Sequence, residues 1–310
     1  MPFPPIREIA RGLRFPEGPV ALPDGSVLLV EIARGTLVRI GTDGRVEIVA
    51  HLGGGPNGAA LGPDGKVYVC NNGGFDWIEM DGGRIRPSHQ PHDWSGGRIE
   101  RVDLATGRVE ELYRYGPHGA LRGPNDLVFD AHGGFWFTDL GKTRPRDLDY
   151  GAVYYARADG SSIVEVVQPM LTPNGIGLSP DGQRLYVAET RAGRVWAWDI
   201  EAPGVLRREP FPSPWGGTLL HQSAGYRLFD SLAVDAAGHV CVATLMEGGI
   251  TVIPPEGGAA VFIPMPDTYT TNLCFGGPDL RTAFVTLSTT GCLVAIDWPR
   301  PGTPLNYLNT

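Results

Sequence analysis

Six side chains that carry a carbonyl or carboxylate oxygen recur at one register in this chain: Glu17, Asn57, Asn125, Asn174, Asp230 and Asn272. Each stands eight residues before the tip of a strand–turn–strand unit, the tips falling at positions 25, 65, 133, 182, 238 and 280. The 310 residues include 34 Asp and Glu but only 8 Asn, and four of those eight asparagines occupy this register. Oxygens placed at equivalent points of a repeat meet at one centre if the repeat closes into a ring. Buried there without a partner they would lose hydration and gain nothing. Two carboxylates and four amides, completed by water, suit one divalent ion. About six to eight mixed oxygen ligands point to Ca²⁺ ahead of Mg²⁺. The lack of His or Cys in the set argues against a dedicated zinc site, although Zn²⁺ and Mn²⁺ stay possible occupants.

The elements that position these groups are hairpins with a readable turn. In Leu178-Ser179-Pro180-Asp181-Gly182-Gln183-Arg184-Leu185-Tyr186-Val187, Pro presets φ, Asp bonds its own backbone and Gly supplies the positive φ. The same grammar recurs at Pro23-Asp24-Gly25, Pro63-Asp64-Gly65, Asp130-Ala131-His132-Gly133 and Asp235-Ala236-Ala237-Gly238, and at Pro278-Asp279-Leu280 with leucine in the glycine slot. The tip spacings of 40, 68, 49, 56 and 42 residues are a propeller period, with four strands to a blade. The expected fold is all-β, a single six-bladed β-propeller domain over residues 1–310, with the divalent ion in its central channel. Polar second hairpins such as Gly97–Val109 and Gly193–Asp199 read as outer strands. Residues 6–15 are expected to close the ring beside Cys292–Asp297 and so remove an exposed sheet edge. Two segments exceed the repeat, residues 73–94 and 209–221. Insertions of this kind belong over one face, where aromatic loops can wall a pocket. They make His92, Trp94 and His221 candidate substrate contacts.

Composition narrows the field. A net charge of −8 with pI near 5.4 and no basic run disfavours nucleic acid and anionic membranes as partners. Gly 44 and Pro 28 are high but explained by the many turns. Cys70, Cys241, Cys274 and Cys292 sit singly in apolar runs, as buried reduced thiols do. Met1–Glu8 has no apolar leader core and no stretch nears eighteen apolar residues, so a soluble cytoplasmic protein is expected. Oligomeric state is not legible.

Pro124-Asn125-Asp126-Leu127-Val128-Phe129 followed by Phe137-Thr138-Asp139 resembles the gluconolactonase and senescence-marker-protein family, as do Pro173-Asn174-Gly175-Ile176 and Thr271–Leu280. Phe15-Pro16-Glu17-Gly18-Pro19 matches that family's opening motif, so the resemblance covers nearly the whole chain. It implies a six-bladed propeller with one catalytic divalent ion and lactone-hydrolysing activity, often on sugar lactones. On this resemblance Glu17, Asn174 and Asp230 are metal ligands, Asn125 is a further ligand or a substrate contact, and Asp230 is the general base. Asn57, Asn272 and Arg122 join the substrate-binding candidates. Two departures stand out: Ser231 follows Asp230 where many members have glycine, and Arg122 lies three residues before Asn125, a spacing that varies among members.

The chemistry that follows is attack on an ester carbonyl, with an ion to stabilise the forming oxyanion and Asp230 as base or direct nucleophile. No Gly-x-Ser-x-Gly elbow is present, which disfavours a serine hydrolase. A glycosidase pair would need two carboxylates already committed to the ion. Beside the lactone hydrolase stand a phosphotriester hydrolase on the same ring and a non-catalytic binding propeller with a structural ion.

Overall fold

The inner strands begin with a chemical signature. Four of the six, Pro16–Ala21, Pro56–Leu61, Pro124–Phe129 and Pro173–Leu178, start on proline, at the strand position where a missing N–H costs least. The other two are Leu228–Val234 and Thr270–Gly276. From each, antiparallel strands run outward to complete a blade of four, and a fifth short strand extends the fourth blade. The computed structural model describes residues 5–309. The Met1–Pro4 part of the stretch read for a leader lies outside those residues. The six inner strands each pack on their two neighbours around the ring, so the architecture is the expected six-bladed β-propeller. Among the described residues the only helical element is the short 3₁₀ turn Asp81–Gly83, and no helix is long and apolar enough to cross a membrane.

Closure follows the sequence reading. Arg7–Arg11 pairs antiparallel with Cys292–Asp297, Arg7 opposite Ala295 and Arg11 opposite Cys292. The last blade is thus completed by the start of the chain, and its edge carries charge, with the Arg7 guanidinium donating to Asp297 at 2.9 Å.

The hairpin tips adopt the conformation their residues select. Gly25, Gly65, Gly133, Gly182 and Gly238 have φ between 69° and 86°, and Leu280 takes φ 55° in the sixth copy. The preceding aspartates accept from the backbone two residues on, as Asp24 does from Ser26 N–H at 3.0 Å and Asp181 from Gln183 N–H at 3.1 Å. Between blades lie apolar layers. Tyr68, Phe129, Phe135, Phe137 and Tyr154 fill the space between the second and third blades. Trp136, Ile176, Val187, Trp196 and Trp198 fill that between the third and fourth. Each such side chain contributes ~1.5–3 kcal/mol on burial. All four cysteines are free and buried.

One irregularity repeats six times. The inner strand of every blade slips register against its neighbour where it enters the channel: at Glu17/Val20, Pro56/Ala59, Pro124/Leu127, Pro173/Ile176, Phe229/Leu232 and Thr270/Asn272. A β-bulge bends its strand and re-aims side chains, and here it does so at the registered oxygen positions. Close packing of the bulges demands small residues. A Cβ on Gly18, whose φ is +54°, would lie 2.5 Å from the Asn57 carbonyl oxygen, and one on Gly58 2.6 Å from that of Asn125. Gly18→Ala is therefore expected to destabilise the protein by roughly 2–4 kcal/mol, combining backbone strain with a clash against main chain. A urea midpoint equal to wild type would refute that.

The two insertions go to different places. Residues 73–95 form a hairpin, Trp77–Glu79 with Ile85–Pro87, on the face where the inner strands begin. Residues 209–217 lie between two short strands, Val205–Leu206 and Thr218–Gln222, that both pair with Arg194–Ala202. This second insertion thickens the outer edge of the fourth blade.

Candidate functional site

The registered residues sit at the start of the inner strands, beside the bulges. Glu17 is buried; its Oε2 accepts from Gly18 N–H and from the Asn272 amide, both at 2.7 Å. Asn272 Oδ1 in turn accepts from Leu273 N–H at 2.7 Å, so this amide is fully committed and bridges the last blade to the first. The Asn174 side chain of the fourth blade stands near enough to Asp230 of the fifth to favour its charged form. Asp230 is enclosed by protein yet keeps partial solvent contact, unlike Glu17, Asn57, Asn125, Asn174 and Asn272, which are all buried.

A residue outside the register completes the cluster. Asp126, beside Asn125, is buried; its Oδ1 accepts from Leu127 N–H at 2.9 Å, and the nearby Ser231 hydroxyl and Ile176 N–H favour its charged form. Simple strand alternation would send Asp126 away from Asn125's side. The bulge between Pro124 and Leu127 removes that alternation. The sequence signal was a carboxylate at the position where other copies have Gly18, Gly58, Gly175, Ser231 and Leu273. Ser231, the departure noted after Asp230, serves Asp126.

Electrostatics bind these acids together. Burial pushes the Glu17 carboxyl up to about 7, against the Asn272, Gly18 and Thr271 donors that favour its charge. Burial and then the Glu17 charge push Asp126 up to about 8. Burial, the Glu17 charge and that of Asp126 all raise Asp230 well above the usual carboxylate range, with the Asn174 amide opposing. Three acids in one low-dielectric region cannot all ionise without a compensating charge.

The donor set fits a hard divalent ion. Asn125 Oδ1 and Asn174 Oδ1 are buried with no hydrogen-bond partner, a costly condition for an amide oxygen. Among the described residues no group of three or more His, Cys, Asp or Glu is placed to hold a metal, so such an ion would draw on these amide oxygens together with carboxylates.

The loop residues predicted from sequence are placed differently. Arg122 is exposed, and its backbone N–H donates to Asp139 Oδ2 at 2.7 Å. His92 is exposed on a turn. Trp94 is half-buried and its indole donates to the Asn72 carbonyl at 2.9 Å, holding the insertion to its root. His221 lies on an outer strand opposite Val195, its ring 6.0 Å from that of Phe229, and burial lowers its pKa. None of the four is brought to the ring of oxygens by these contacts.

The first insertion instead brings its own groups to the mouth. Trp77 packs on Phe15, two residues before Glu17, with centroids 5.1 Å apart, and Phe15 meets Tyr269 at 6.0 Å. Burial raises the Tyr269 phenol, Arg86 of the insertion opposes, and the Asp230 charge adds to the rise. At the far, hairpin-tip end of the channel a cavity of about 420 Å³ reaches up to Gly18, Asp126 and Asn272 and is flanked by Thr303–Asn306.

Comparison with known proteins places this geometry. The family model described as the SMP-30/Gluconolactonase/LRE-like region matches residues 15–289. The lactonase drp35 of Staphylococcus saprophyticus is 28% identical over 244 residues, covering 78% of this chain and 67% of that protein. A gluconolactonase of Zymomonas mobilis is 26% identical over 318 residues, covering 92% of this chain and 79% of that one. Among solved structures, a gluconolactonase from Xanthomonas campestris superposes with TM-score 0.74 at 22% identity, covering 95% and 89% of the two chains. The calcium-binding protein regucalcin from Agrobacterium tumefaciens superposes with TM-score 0.73 at 20% identity, covering 97% and 95%.

Proposed function

Because the chain belongs to the SMP-30/gluconolactonase/LRE-like family, we propose that it hydrolyses lactones at the ring of oxygens in its channel, with Asp230 as general base and a divalent ion, Ca²⁺ first, as cofactor. The observation that carries the reading is the pair of unpartnered buried amide oxygens, Asn125 Oδ1 and Asn174 Oδ1, in the same ring as a carboxylate with solvent contact, Asp230. The lactonase and gluconolactonase relatives support the reaction class.

Glu17, Asn174 and Asp230 would hold the ion, with Asn125 beside them. When bound, it would polarise the lactone carbonyl and offset the charge of its carboxylate ligands. The remaining work falls to the chain. Asn174 stands beside Asp230 and favours its charged form. Asp230 takes one proton from a water at a carboxylate oxygen as the water oxygen bonds to the carbonyl carbon. The ring C–O bond then breaks and the proton passes to the departing oxygen, leaving the hydroxy acid. Asn272 and Gly18 hold Glu17 by its Oε2, so the second carboxylate keeps its place throughout. Asp126, in its ionised form, raises the basicity of Asp230.

A panel of sugar, aliphatic and aromatic lactones, followed by acid release, tests this. Turnover is expected to vanish on chelation and return with Ca²⁺, Mn²⁺ or Zn²⁺. No turnover of any lactone in the metal-loaded protein would end the lactonase reading. Turnover of a fluorophosphate in its place would move the assignment to phosphotriesters. Lactone turnover indifferent to chelator would remove the ion from the chemistry.

A further inference from the structure

The insertion at residues 73–95 touches more of the channel face than its root accounts for. It leaves the second blade after Asn71 and, through Trp77, packs on Phe15 of the first blade and, through that contact, on Tyr269 of the last. Its return limb is tied to the third blade, where Gln90 N–H donates to the Thr143 carbonyl at 2.8 Å. One segment therefore links the entrances of four blades, its aromatic limb resting on Phe15 and, through it, Tyr269, which lie two and three residues before Glu17 and Asn272.

What holds its outgoing limb is a lysine that the proposed chemistry does not use. Lys142 is 2% exposed and, among the described residues, forms no ion pair. Its Nζ donates to the Gly74 carbonyl at 2.6 Å and to Asn72 Oδ1 at 3.2 Å, and lies 3.9 Å from the centroid of the Phe75 ring. The ammonium's contacts are thus all to the root and first residues of the insertion, Asn72, Gly74 and Phe75. The neighbouring Asn72 Nδ2 is buried and has no partner. Burial pushes the Lys142 amine down to about 7, while Asp139 and Asp149 favour its charge. Asp139 is not free to pair with it, because its oxygens accept from the Arg122, Gly123 and Gly141 N–H groups. A buried ammonium with no carboxylate costs stability, and an apolar residue of the same length would fill the space. The lysine's direct compensation is two carbonyl-type bonds and a cation–π contact, all made to the insertion and its root, beside the more distant charges of Asp139 and Asp149.

We propose that residues 73–95 are a strap across the substrate mouth and that Lys142 is its positioning residue, holding the root of the strap down so that the aromatic limb, Phe75 and Trp77, stays over the ring. Binding and release of substrate then require the strap to lift, as mobile loops over active sites do. Only the kinetic consequence rests on the lactonase reading.

Hydrogen exchange and limited trypsin digestion of the full-length protein test this. In Lys142→Met the amides of residues 76–90 are expected to exchange about tenfold faster, with the blade strands unchanged. Cleavage after the exposed Arg84 is expected to speed up in parallel. Lys142→Arg, which keeps the charge, restores part of the protection. On a lactone the wild type turns over, the Met variant raises KM roughly fivefold or more with kcat held, the pattern of lost substrate positioning. Strap exchange equal to wild type in folded Lys142→Met overturns the proposal. If that variant does not fold, Phe75→Leu removes the ring beneath the ammonium, and unchanged strap exchange there overturns it equally. A loosened strap with KM and kcat both unchanged overturns the role in substrate capture. A wild type that hydrolyses no lactone defeats the lactonase reading while leaving the exchange result to decide the strap.

Discussion

Asp230→Asn is expected to lower lactone turnover by a factor of roughly a thousand, in the range found for loss of a positioned general base, and at the same time to leave the chelated protein as stable as wild type or more so. The two effects have one origin. Asp230 is raised by burial and by the charges of Glu17 and Asp126, so its ionised form is unfavourable in the empty site and favourable only to the reaction. Asparagine keeps the shape while removing one of three mutually repelling acids. Single-turnover acid release measures the first effect and chemical denaturation in chelator the second. Full activity would remove Asp230 from the mechanism. A large loss of stability would show that its charge is already compensated by groups of the chain itself.

The second large effect is the dependence of stability on pH and on the ion. Glu17 is pushed up to about 7 and Asp126 to about 8, both above their unfolded values near 4. A carboxyl raised in the folded state binds its proton more tightly there than in the unfolded chain. Its contribution is fully present below the unfolded pKa and is lost as pH rises through the folded one. Chelated protein is therefore expected to lose stability progressively between pH 4 and 8, on the order of 3 kcal/mol for Glu17 alone. Saturating Ca²⁺ should flatten that slope, because the ion favours the charged acids and binds only the folded site. Calcium uptake near pH 7 should release protons, seen as a buffer-dependent heat in calorimetric titration. Glu17→Gln should reduce both the slope and the affinity for the ion, and unchanged affinity would count against Glu17 as a ligand. A chelated protein whose stability rises across this range would contradict the raised acids.

The sequence by itself determined the repeat, and with it the fold. Turn chemistry is local: Pro, Asp and Gly at the tips fix the hairpin within a few residues, and a fixed eight-residue count then links each tip to one channel position. Hence Glu17, Asn57, Asn125, Asn174, Asp230 and Asn272 could be placed at equivalent points of the inner strands without knowing any long-range contact, and closure of the ring put residues 6–15 beside Cys292–Asp297. What tertiary structure alone decided is whatever depends on departures from that local periodicity. Asp126 joins the acids because a bulge breaks the alternation that would have turned it away. Asn272 supports Glu17 because two blades distant in sequence are adjacent in the ring. The two insertions looked alike as aromatic, proline-rich stretches. Yet residues 209–217 lie at an outer edge and residues 73–95 pack beside Phe15 and Tyr269 at the start of inner strands, since a loop's path is set by what it can bury against. Phe15, Tyr269 and Lys142, scattered over more than 250 residues of chain, offered that surface only to the second of these.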